Sequence, residues 1–243
     1  MKPFVKIDDA SVVFPSAHQH QSLKNLLVGR HRVSPTPKRM ALSSVSVELV
    51  SGERLGIIGR NGSGKTTLLK VIAGILPPTE GRRVVRGEIA PVISQGLGFD
   101  PTLPVRLNIR LGLLHTNRAQ DYTLAFERHV LEFAELTEYA NEPAAVLSSG
   151  MQSRLAFALA LFQTPQILLL DEVFATGDAA FIKKAEAAML ERIDQTPIVV
   201  LVSHSPPRIA RVATRCILLD QGHILADGPP GEIAEKYKKL TAA

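Results

Sequence analysis

Gly59-Arg60-Asn61-Gly62-Ser63-Gly64-Lys65-Thr66 fits the pattern G-x-x-x-x-G-K-[ST]. A loop of this kind holds phosphates. Its glycines let the backbone curl until successive N–H groups face inward, and the positive end of the following helix adds to that field. Gly59, Asn61, Gly62, Ser63 and Gly64 would line the phosphates of ATP. Lys65 would reach the β- and γ-phosphates, and the Thr66 hydroxyl would ligate Mg2+, with Thr67 beside it in the first helical turn.

A second group lies in Ile167-Leu168-Leu169-Leu170-Asp171-Glu172. An apolar run of this length reads as a buried strand. It would deliver Asp171 at its carboxyl end, to hold Mg2+ directly or through water. Glu172 follows at once, points to the other face, and is the candidate general base for the attacking water.

These residues need a scaffold. GIIG, ILLLD and IVVLVS are short, almost wholly apolar and bounded by turn residues, the signature of strands buried on both faces of a parallel sheet. FVKI, SVSVEL, EIAPVI, CILLD and HILADG are further strand candidates. Helices are predicted over 65–74, 122–138, 150–162, 179–194, 206–212 and 231–240. The fold class is therefore α/β. Two segments stand apart. Residues 15–39 are polar, basic and Pro-containing, and read as an insertion between two strands. Residues 96–163 are mostly helical and read as a small lobe beside the sheet.

Leu147-Ser148-Ser149-Gly150-Met151 resembles the LSGGQ signature of ABC ATPases, although Ser-Ser-Gly by itself is an ordinary helix N-cap. Ser148 precedes Asp171 by the interval that family keeps. Gln95 matches its Q-loop glutamine, which senses Mg2+ and the attacking water, and stands at the family's interval from Asn108. Asp178, in Ala-Thr-Gly-Asp, matches the D-loop aspartate, and His204, in Val-Ser-His-Ser, the switch histidine. The resemblance spans nearly the whole chain. It implies a P-loop NTPase fold of the ABC nucleotide-binding type across 1–243: a mainly parallel sheet, a small antiparallel part and a helical subdomain. It also implies a homodimer that sandwiches two ATP. Lys65, Thr66, Gln95, Asp171, Glu172 and His204 of one chain would face Ser148, Ser149, Gly150 and Asp178 of the other. Thr66, Gln95 and Asp171 would serve Mg2+. Two departures stand out. Met151 replaces the signature Gln, and no Tyr follows the first strand to stack on adenine. Phe14 is the nearest aromatic candidate, and a core Phe is the alternative.

LSSGMQSRLAFA, DEVFATGDAAF, QGLGFDPTLPVRLNI and the basic insertion before ALSSVSVEL narrow the resemblance to ATPases that export lipid-linked polysaccharides: O-antigen, capsule and teichoic acid. A multi-span permease is then the implied partner, with the glycan an indirect substrate. The implied place is peripheral, on the cytoplasmic face of the inner membrane. The chain stops soon after GEIAEKYKKL, so no carbohydrate-binding domain is expected after the ATPase. Lys24, Arg30, Arg32, Lys38 and Arg39 in the insertion are candidates for anionic lipid headgroups or pyrophosphate, or simply a solvated loop.

Composition bounds the rest. The chain has 243 residues, 45% of them hydrophobic, enough for one sizeable core. No stretch approaches the roughly 18 apolar residues of a membrane span. The start, MKPFVKIDDA, lacks the apolar core of a signal peptide, and Cys216 has no second cysteine to pair with. A net charge of +5 suits an anionic ligand or a membrane surface. With three Tyr, nine Phe and no Trp for base stacking, a nucleic-acid partner is not expected. Other readings are an exporter of small molecules or drugs, a soluble ABC protein acting on ribosomes or DNA, and a P-loop kinase or GTPase. LSSGM and His204 argue against the last.

Overall fold

The computed structural model describes residues 2–15, 38–92, 99–171 and 178–242. Two sheets carry the fold. The larger has six strands: β3 (Arg54–Ile58), β5 (Ile89–Val92), β6 (Ile167–Asp171), β7 (Ile198–Val202), β8 (Arg215–Asp220) and β9 (His223–Gly228). Their order is β5-β6-β7-β3-β8-β9. All neighbours run parallel except β9, which pairs antiparallel with β8. The smaller sheet is antiparallel, with β1 (Phe4–Pro15) between β2 (Lys38–Val50) and β4 (Glu80–Arg86). Helix α1 (Lys65–Ala73) lies between the two sheets. Helices α2 (Val105–His115), α3 (Leu124–Ala134) and α4 (Ser149–Phe162) form the helical lobe. They are followed by α5 (Ala179–Gln195), α6 (Pro206–Val212) and α7 (Pro230–Ala242).

Alternation along the central strands explains the layers. Ile167, Leu169, Val200 and Val202 face a core shared with Leu68, Leu69, Val71 and Ile72 of α1 and with the small sheet. Leu168, Leu170, Val199 and Leu201 face the opposite core, with Phe157 and Leu161 of α4 and Phe181, Ala185 and Met189 of α5. Strand side chains alternate between faces, so α1 and the α4–α5 pair cover opposite faces of one sheet. Nine-residue α1 is too short to hold as an isolated helix. Each of its buried Leu and Ile side chains contributes about 2 kcal/mol on leaving water.

Several predicted elements differ in detail. The helix expected over 122–138 starts at Leu124, where Thr123 Oγ1 accepts from Phe126 N at 3.0 Å. It ends at Glu135, which turns left-handed at φ 60°, because Leu136 folds back into the lobe core and donates to Leu131 O at 2.9 Å. Strand β4 and helix α2 were not singled out. β4 reads EGRRVVR, an edge strand half-buried only at Arg83 and Val85, so its alternation is hidden by arginines. Helix α2 follows Pro104 without a side-chain cap, so it lacks the usual start signal. Of the segment 15–39, Pro15 closes β1 while Lys38 and Arg39 open β2; 16–37 lie outside the described residues.

Candidate functional site

The loop 59–64 leaves the carboxyl end of β3 and turns into α1. Its backbone has little room for side chains at Gly59 and Gly64. A Cβ at Gly64 would sit 2.5 Å from the Ala41 carbonyl oxygen, and Gly64 adopts φ +107°, a region L residues rarely enter. Lys65 is 6% exposed, and its ammonium donates to the Gly59 and Arg60 carbonyls, both at 2.9 Å, which ties the loop together from below. Ser63 Oγ is buried and has no hydrogen-bond partner among the described residues. Helix α1 has Gly64 at its N-cap, no side-chain cap and no acidic residue in its first turn. Its leading N–H groups and the dipole behind them are thus directed at an anion. Thr66 is exposed and Thr67 half-buried in that first turn.

Strand register brings the other groups to the same edge. Val202 of β7 pairs with Ile57 of β3 on one side and with Asp171 of β6 on the other. Asp171 is 5% exposed. Pairing continues beyond β7, where Ser203 N donates to Ile57 O at 3.3 Å. His204 follows, exposed, at the carboxyl edge where the phosphate loop begins. Ligands of open α/β sheets bind at this edge. Thr66 and Asp171 offer hard oxygen donors, which fit Mg2+ completed by water and phosphate oxygens. Among the described residues no three His, Cys, Asp or Glu side chains gather into a metal cage.

The signature-like residues stand elsewhere. Ser148 is the N-cap of α4, and its Oγ accepts from Met151 N at 3.3 Å. Ser148 and Ser149 are exposed and Gly150 half-exposed. Met151 packs against the lobe core, so a hydrogen-bonding Gln is not needed there for folding. Asp178 is exposed and caps α5, accepting from Phe181 N at 2.9 Å. That backbone bond holds its carboxyl below the usual carboxylate range. Helices α4 and α5 pack on the sheet face opposite α1. Phe14 sits near the end of β1, 39% exposed. Gln95 and Glu172 lie outside the described residues.

Asn108 holds the helical lobe together at the start of α2. It is fully buried on α2. Its Oδ1 accepts from Asp100 N at 2.7 Å, and its Nδ2 donates to the Asp100 and Leu103 carbonyls. It thereby pins the turn 100–104. Its position among the inward residues Val105, Ile109, Gly112 and Leu113 was the available signal, because a polar group on an apolar face must be satisfied.

Fold and site together define a P-loop nucleotide-binding cassette. Residues 42–175 match the family model described as ABC transporter. The chain is 39% identical to "O-antigen export system ATP-binding protein RfbE" of Yersinia enterocolitica, covering 89% of this chain and 94% of the relative. It is 37% identical to "O-antigen export system ATP-binding protein RfbB" of Myxococcus xanthus over 82% of this chain, and spans about half of that relative's length (46%). The solved "Dimeric Structure of MJ0796, a Bacterial ABC Transporter Cassette" superposes with a TM-score of 0.70 at 23% identity, over 93% of this chain and 98% of that one. The chain belongs to the ABC transporter family.

Proposed function

We propose that this chain is the ATP-hydrolysing subunit of an exporter for a lipid-linked polysaccharide, acting as a homodimer. The observation that carries the ATPase reading is the uncapped N-terminus of α1, with Lys65 beneath it and Asp171 at the same sheet edge. Backbone N–H groups of 59–64 and Lys65 bind the phosphates, and Phe14 stacks on adenine. Thr66, Asp171 and Gln95 would hold Mg2+, which would supply positive charge to the phosphates. Glu172 accepts the proton of the attacking water, and His204 orients the γ-phosphate. Ser148, Ser149, Gly150 and Asp178 act on the nucleotide of a second copy, a reading supported by the exposure of Ser148, Ser149 and Asp178.

Export of a glycan rests on what the relatives are named for. The partner is a membrane permease, and the subunit works at the cytoplasmic face of the inner membrane. Among the described residues no helix is long and apolar enough to cross a membrane. The segment 15–39 is an insertion, its basic residues either meeting anionic headgroups or pyrophosphate or forming a solvated surface, and 96–163 is the helical subdomain.

Glu172→Gln tests the chemistry. The variant should bind ATP as the wild type does, lose hydrolysis by roughly a thousandfold, and accumulate as a closed dimer. Near-normal turnover would place the base elsewhere. Copurification tests the assembly: a multi-span permease and glycan export in cells support the proposal, whereas ribosome association or drug export instead refutes the cargo.

A further inference from the structure

Arg39 stands beside the phosphate loop. It opens β2 directly opposite Phe14 of β1, and opposite residues of an antiparallel pair share a face. The strand then runs along the loop. Ser43 N donates to Gly222 O at 2.9 Å, and Gly222 N donates to Ser63 O at 2.9 Å. Gly62, at the exposed crest of the loop, has φ +79° and space around it. Among the described residues beyond its chain neighbours, the one group within 4 Å of where its Cβ would lie is an Arg39 guanidinium nitrogen, at 3.8 Å. Arg39 is exposed and makes no ion pair among the described residues. Lys65 is buried and bonded to carbonyls inside the loop. The two cations therefore approach the loop from different sides, one from below and one from solvent.

We propose that Arg39 is a nucleotide-binding residue that contacts the phosphates of ATP from the solvent side of Gly62, while its cross-strand partner Phe14 meets the base. This rests on the reading of 59–66 as the ATP site. An arginine suits the task. Its planar fork matches phosphate oxygens, it is always charged, and it stacks on aromatic faces. Strand pairing sets Phe14 and Arg39 side by side, so one hairpin edge presents an aromatic surface and a cation to one ligand. The chemistry it recognises is a polyphosphate, which a lipid-linked pyrophosphate could also supply, and the test separates the two sources.

The experiment compares wild type, Arg39→Ala, Arg39→Lys and Lys65→Ala in the full chain. The probes are ATP, inorganic triphosphate and phosphatidylglycerol vesicles. Arg39→Ala should weaken both ATP and triphosphate about tenfold at low salt. Arg39→Lys should recover part of the loss, and the difference should shrink as salt rises, because the contact is solvent-exposed. If Arg39→Ala binds triphosphate within twofold of wild type while Lys65→Ala does not, the Arg39 assignment is wrong and the loop assignment stands. A loss confined to vesicle binding, or one unchanged in molar salt, also overturns it. If Lys65→Ala binds triphosphate normally, the ATP-site reading itself fails.

Discussion

Two helix N-termini in this chain use the same dipole in opposite ways. At α1 the cap is Gly64, left-handed and without a side chain, so no side-chain cap answers the first N–H donors. At α4 the cap is Ser148, whose hydroxyl accepts from Met151 N. Neither helix has an acidic residue in its first turn. The difference lies in what completes each end. Helix α1 is shaped for an anion delivered to its own loop, with Lys65 in place beneath. Helix α4 is complete as a folded element and presents Ser148, Ser149 and Gly150 outward, across the sheet from α1. Under the proposed function, α1 binds nucleotide within one chain and α4 completes the site of a second copy.

The largest expected effects test that division. Lys65→Ala should weaken ATP binding by at least about a hundredfold and abolish hydrolysis, since it removes a buried charge from the phosphate loop. Ser148→Arg should bind ATP within about twofold of wild type as a monomer, yet lose hydrolysis about a hundredfold or more. Mixed together, the two variants form heterodimers with one doubly damaged site and one intact site. Recovered ATPase activity in the mixture confirms shared sites, and normal hydrolysis by Ser148→Arg alone would break the comparison.

Stability separates the two ends next. Gly64→Ala forces a Cβ into left-handed backbone against the Ala41 carbonyl, and should cost about 2 kcal/mol or more. Ser148→Ala removes only a cap and should cost about 1 kcal/mol, a fall in Tm of about 2–4 °C for a chain of this size. Calorimetry of both variants without nucleotide checks the order; equal losses would mean that the loop is no more constrained than the cap.

The smallest effect concerns the third N-terminus, at α5. Asp178 is held below the ordinary carboxylate range first by its bond from Phe181 N. A lowered native value means that its stabilisation is complete above the unfolded value of about 3.9 and fades as pH falls through the lower native one. Asp178→Asn keeps the cap but not the titration. Urea midpoints of wild type and variant should therefore converge as the medium is acidified below about pH 4. A constant gap down to pH 2 would show that the carboxylate charge is not what matters.

The sequence itself determined the features made by consecutive residues. The phosphate loop is legible because one unbroken stretch supplies its glycines, its lysine and the helix that follows. Strands β3, β6 and β7 are legible because burial on both faces leaves apolar runs that nothing else explains. Helix α4 is legible through its Ser148 cap and the family likeness of its neighbours. Tertiary structure alone decided the rest. ILLLD and IVVLV carry the same apolar pattern, so nothing local says which strand neighbours β3; packing on both sheet faces selects β6-β7-β3 and sets Asp171 in register with Val202 and Ile57. The same long-range pairing carries Arg39 to the crest of Gly62 and divides α1 from α4 across one sheet. Strand partners are chosen by the free energy of the whole core, to which each run contributes only its apolar face.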